Sequence, residues 1–96
     1  MSETREVRLK RLRIRSWRRG TREMDMILGP YFDACSADLD TATLDAYEAL
    51  LSENDQDLYA WISGRAEAPG ALVPMLDVIR AHAAEAHDAL KDGALK

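Results

Sequence analysis

From Met24 onward the apolar residues Met24, Ile27, Leu28, Tyr31 and Cys35 recur at the i, i+3, i+4, i+7, i+11 spacing of one helical face. Upstream, Leu9, Leu12 and Trp17 are set among many arginines, and the pattern predicts a helix over about Glu3 to Arg18. The Val7-Arg8-Leu9 alternation also suits a short strand, but a lone strand has nothing to pair with. Gly20 breaks the pattern between these two segments. Pro30 lies inside the second, where its ring clashes with the carbonyl of Met26, so a kink or a split into two short helices is expected. Ser36 to Asp40 reads as a turn, with Asp40 or Thr41 capping a third helix that buries Leu44, Tyr47, Leu50 and Leu51. Asn54-Asp55-Gln56-Asp57 is another polar cap, opening the short stretch Leu58 to Ser63 that Gly64 ends. After a loop at 65–70, a final helix is expected from about Ala71 to Asp92. Leu72, Leu76, Ile79, Ala83 and Leu90 face inward, and Pro74 sits in the first turn. The expectation is an all-α fold, a small single-domain bundle of about five helices over 1–96, with 1–10 and 93–96 as flexible ends.

Composition narrows this little: 96 residues, 47% hydrophobic and 31% charged, describe a soluble globular domain with one core and small room for a deep cleft. Charge changes more. Residues 1–22 hold nine of the thirteen Lys and Arg against Glu3 and Glu6, a net +7, while 23–96 hold four against fifteen acids, a net −11. That polarity suggests an oriented interaction through the basic end. No apolar run approaches the roughly 20 residues of a membrane span, so no membrane insertion is expected. The N-terminus lacks an apolar signal region, and Glu3 and Glu6 interrupt the Arg-rich character of a presequence.

Catalytic chemistry finds little support. His82 and His87 are five apart on one helix, so their side chains diverge by about 140° and share no metal; they read as surface histidines on a solvated face. Cys35, the single cysteine, sits on an apolar stripe as a small hydrophobe. No phosphate loop, zinc-ligand spacing or serine elbow appears, and the protein is expected not to be an enzyme. The basic segment makes a nucleic-acid binder the alternative on residues alone. Against it, Trp17 is the only nearby stacking group, and the acidic remainder repels a polyanion.

The segment Arg18-Arg19-Gly20-Thr21-Arg22-Glu23-Met24-Asp25 has a plain reading as a helix boundary, with Glu23 and Asp25 in a first turn where the helix dipole favours acids. Two details pull toward a binding site. Arg19 precedes Glu23 in the less favourable order for a helical pair, and clustered arginines oppose the dipole at a helix start. A partner supplying counter-charges accounts for both, and a glycine amid long side chains lets another backbone approach.

Trp17-Arg18-Arg19-Gly20-Thr21-Arg22-Glu23-Met24-Asp25 resembles the signature of the succinate dehydrogenase flavin-assembly factors, whose hallmark is Arg-Gly-x-x-Glu. The likeness continues at Gly29-Pro30-Tyr31-Phe32 and at Asp55-Gln56-Asp57-Leu58-Tyr59-Ala60-Trp61, and covers about Arg11 to Arg80. It implies a five-helix bacterial, cytoplasmic assembly chaperone that binds the flavoprotein subunit of succinate dehydrogenase, or of fumarate reductase, and promotes covalent attachment of FAD to it. By the same likeness Arg19, Gly20 and Glu23 contact the partner near its flavin, with Arg18, Arg22 and Asp25 adjacent. Asp57, Tyr59 and Trp61 either join that interface or, for the two aromatics, anchor the short fourth helix in the core. The factor itself is expected to hold no cofactor tightly, since no dinucleotide fingerprint is present, and to act on the FAD of its partner. A monomer is expected, with no nucleic acid bound. A generic interaction module with a different partner is the remaining alternative.

Overall fold

The computed structural model describes residues 3–93, with side chains described through Glu85. Five α-helices follow one another: α1 (Arg5–Trp17), α2 (Arg22–Cys35), α3 (Thr41–Leu51), α4 (Asp55–Ile62) and α5 (Val73–Gly93). Single 3-10 turns at Ser36–Asp38 and Gly70–Leu72 lead into α3 and α5. The fold is all-α as the periodicity implies, with no strand among the described residues, and Val7-Arg8-Leu9 lies within α1.

Local chemistry sets the starts of four helices. The side-chain oxygens of Thr4, Thr21, Asp40 and Asn54 each accept the backbone N–H three residues on, satisfying a donor that the helix itself leaves open. Gly64 ends α4 at φ 81°, in the left-handed region where a side chain is strained.

The core gathers on α2. Met24, Leu28, Tyr31 and Phe32 are buried there against Leu12 of α1, Leu44, Tyr47, Leu50 and Leu51 of α3, Leu58 and Trp61 of α4, and Met75, Leu76 and Ile79 of α5. Each large side chain contributes roughly 1.5–3 kcal/mol by leaving water. The Tyr47 ring stacks on Phe32 at 5.3 Å and lies 5.7 Å from Tyr31. Ser16, fully buried on α1, donates to the Leu12 carbonyl at 2.8 Å and shares a 2.6 Å hydrogen bond with the Tyr47 hydroxyl. Burial pushes the Tyr47 phenol well above its ordinary value and that of Tyr31 up to about 12.

Several expectations change. α2 runs through Pro30 as one helix rather than two. The carbonyl deprived of a donor belongs to Met26, an exposed residue, while Leu28, Tyr31 and Phe32 hold both halves on one core. Residues 5–10 form the first turns of α1. Arg5 donates to the Leu39 carbonyl at 2.7 Å. Arg8 reaches Asp45 at 2.6 Å and Glu48 at 3.1 Å, and Arg11 reaches Glu3 and Glu48 at 2.8 Å each. His82 is half-buried, edge-on to Tyr31 at 5.5 Å, because α5 packs across α2 there. Met75 joins Leu76 and Ile79 in the core, Leu72 packs against it, and Ala83 is half-buried. The side chains of His87 and Leu90 lie outside the described residues.

Candidate partner-binding site

The turn between α1 and α2 is built by two carboxylates. Asp55, the first residue of α4, accepts Arg19 Nε on Oδ1 at 2.7 Å and the Gly20 N–H on Oδ2. The Arg19 guanidinium also donates to the carbonyls of Leu51, the last residue of α3, and Glu53, in the link to α4, both at 2.8 Å. Asp25, one turn into α2, accepts the Arg19 backbone N–H at 2.5 Å. The side chains of Arg19 and Asp55 are 10% and 12% exposed, so this ion pair works in a much drier setting than a surface one.

For Arg19 alone this corrects the expectation that the clustered arginines wait for counter-charges from a partner. Helix α2 begins at Arg22, so Arg19 precedes it and never forms a helical i, i+4 pair with Glu23. Its charge is met within the chain by Asp55 and two carbonyls. Gly20 is required by proximity: a Cβ there would lie 2.9 Å from Asp55 Oδ2, an oxygen already committed to the Gly20 N–H. Thr21 caps α2, accepting the Met24 N–H at 3.3 Å.

What the turn presents is the remainder. Arg18, Gly20, Arg22 and Glu23 are exposed, and among the described residues Arg18, Arg22 and Glu23 enter no ion pair. Of the six residues singled out in the sequence, these four form the outer surface, while Arg19 and Asp25 hold it from inside. Glu23, Thr21, Asp55, Gln56 and Tyr59 line a small cleft of about 150 Å³ beside the turn. Tyr59 is half-buried under the Arg65 guanidinium, which lies 5.8 Å from its ring; Trp61 is a core residue, and Asp57 is exposed.

A second support fixes the angle between α1 and α2. The Trp17 indole lies against Gly29, where a Cβ would come within 2.4 Å of the ring, and its Nε1 donates to Asp33 Oδ2 at 3.1 Å. Arg13 pairs with the other Asp33 oxygen at 3.1 Å. The turn is thus braced from α4 on one side and from α2 on the other.

A family model described as "Flavinator of succinate dehydrogenase" matches residues 10–83. The chain belongs to this family. The flavinator match begins in the second turn of α1 and ends in α5, so it contains the braced turn, Gly29 and Asp55 together. The chain is 38% identical over 66 residues to the FAD assembly factor SdhE of Vibrio cholerae, covering 68% of this chain and 77% of that protein. It is 40% identical over 67 residues to the FAD assembly factor SdhE of Photobacterium profundum, covering 68% and 75%. A mitochondrial succinate dehydrogenase assembly factor 2 from Schizosaccharomyces pombe is 37% identical over 67 residues, covering 70% of this chain and 48% of that longer protein. No solved structure matches.

Residues 3–9 precede the flavinator match, and they carry the Arg5 contacts to Ser36 of the 3-10 turn and to Leu39 after it, and the Arg8 contact to α3. Three arginines, Arg8, Arg11 and Arg15, converge on Glu48. Hydrogen bonding from Arg11 leads the causes that hold the Glu48 carboxyl below the usual carboxylate value. Among the described residues no group of His, Cys, Asp and Glu is placed to hold a metal, and no helix is long and apolar enough to cross a membrane.

Proposed function

We propose that this protein is an assembly chaperone for the flavoprotein subunit of succinate dehydrogenase, promoting covalent attachment of FAD to that subunit. The carrying observation is the turn Arg18–Glu23. It lies inside the family match, is braced from two sides, and turns to solvent three charged groups that are unpaired among the described residues. Bracing matters because a surface held in one geometry loses little freedom on docking.

In this reading Gly20 lets the partner's backbone approach, while Arg18, Arg22 and Glu23 engage polar groups around its flavin site. Arg19 and Asp25 act one step back, fixing the turn. The chaperone orients the partner so that its own nucleophile and the flavin react; such positioning supplies large effective concentrations without any catalytic group on this chain. The protein is accordingly not an enzyme, holds no FAD of its own tightly, and works as a monomer in the bacterial cytoplasm. A fumarate reductase flavoprotein is a second client of the same chemistry.

The test is co-purification: the tagged chain retains the succinate dehydrogenase flavoprotein subunit from extract, and Glu23→Ala releases it. Retention of nucleic acid instead supports the basic-segment alternative.

A further inference from the structure

Helix α1 has two charged faces, and they are treated differently. On the inner side Arg8, Arg11 and Arg15 all reach Glu48 of α3. On the outer side Lys10 and Arg18 meet no carboxylate among the described residues, although the chain carries fifteen acids beyond residue 22. The same outer side exposes Val7 and Ile14, at 53% and 57%, seven residues apart and therefore in line along the helix. Between Ile14 and Trp17, with Lys10, Arg13 and Arg18 around it, lies a groove of about 330 Å³. Its wall is preset, because Trp17 is pinned on Gly29 and Asp33.

We infer that this groove is a docking site for an acidic segment of the flavoprotein partner, one that places a large apolar side chain against Ile14 and Trp17. The inference rests on the proposed function for the partner's identity and adds a second contact region to it. Charge decides the occupant's chemistry: Arg13 is met by Asp33, but Lys10 and Arg18 meet no carboxylate among the described residues, so carboxylates opposite those two complement the groove. Concavity decides between a protein and a lipid surface. Two aliphatic residues separated by two helical turns bury too little apolar area for stable insertion into a bilayer interface, whereas the groove admits one inserted side chain. Position completes the case, since Arg18 belongs both to this groove and to the turn that ends at Glu23. One partner surface spans both.

The experiment uses the full chain and the purified succinate dehydrogenase flavoprotein subunit, with affinity measured by titration calorimetry at low and at physiological salt. Ile14→Asp and Lys10→Glu each weaken binding at least about fivefold, the loss expected of a contributing interface residue. Both variants retain the parent melting temperature, because the two side chains are exposed. The Lys10→Glu variant also shows a shallower salt dependence. Undiminished affinity in both variants, alongside loss in Glu23→Ala, overturns the groove while leaving the proposed function standing. Failure of the unmodified chain to bind the subunit overturns both. Binding of the chain to phosphatidylserine vesicles that Ile14→Asp abolishes reassigns the groove to lipid and overturns the protein-segment inference.

Discussion

Arg19 and Asp55 lie 36 residues apart in the chain, yet Nε of the first sits 2.7 Å from Oδ1 of the second. The other oxygen of the same carboxylate takes the Gly20 N–H, so one side chain at the start of α4 fixes two consecutive residues of the turn. The signature arginine is therefore a brace, and the surface it braces is the part exposed to solvent.

Removing Asp55 leaves a mostly buried guanidinium without its counter-charge. Asp55→Ala should cost about 3 kcal/mol of stability, the lower end of what breaking a buried pair costs. Arg19→Lys should also destabilise, because an ammonium cannot reach the carboxylate and two carbonyls from one planar fork. Urea denaturation measures both. A loss below about 0.5 kcal/mol, the usual surface value, contradicts the brace.

Gly29→Ala should be destabilising even though alanine is the better helix former. The added methyl meets the Trp17 ring at 2.4 Å, and relieving such overpacking typically costs about 1–3 kcal/mol. Trp17 fluorescence should shift as the indole leaves Asp33. An increase in melting temperature without that shift contradicts the packing described.

Tyr47→Phe keeps the ring stack on Phe32 but strips the hydroxyl from buried Ser16. Ser16 retains its bond to the Leu12 carbonyl, so the expected loss is modest, about 1 kcal/mol. The double variant Ser16→Ala with Tyr47→Phe should cost less than the sum of the single changes, since the two hydroxyls serve one another. Strict additivity in denaturation midpoints contradicts the pairing.

Glu48 gives the pH dependence its direction. A carboxylate lowered in the folded state stabilises that state at every pH above its unfolded value, near 4.5, and the contribution disappears as pH falls through its lowered folded value. Stability should hold from neutral pH down to about 4.5 and decline below it, and Glu48→Gln should flatten part of that decline. An unchanged acid limb in Glu48→Gln, followed by melting temperature against pH, contradicts the role given to the arginine cluster.

The helices were legible because burial imposes a period: the spacing of Met24, Leu28 and Tyr31, and of Leu44, Tyr47 and Leu51, follows directly from one face turned to a core. Caps were legible at Asp40 and Asn54, where short polar side chains precede an apolar run. Of the kink or split expected at Pro30 the split does not occur, since its local cost is outweighed by the core contacts on both sides of it. The exposed residues of the turn were visible as a motif, but their division into brace and surface was not. An ion pair between Arg19 and Asp55 leaves no periodic trace, and nothing in the spacing of either residue distinguishes it from a solvated charge. Trp17 on Gly29 was hidden for the same reason, as a contact between helices rather than along one.

The exposed side of the turn should promote flavin attachment separately from holding the fold. The direct measurement is the covalent flavin content of the succinate dehydrogenase flavoprotein subunit, incubated with FAD and with the unmodified chain, Glu23→Ala, or no chain. A strong rise is expected with the unmodified chain and little above background with Glu23→Ala, whose melting temperature should match the parent because Glu23 is exposed and enters no ion pair among the described residues. Equal covalent flavin with a folded Glu23→Ala, or with no chain at all, contradicts it.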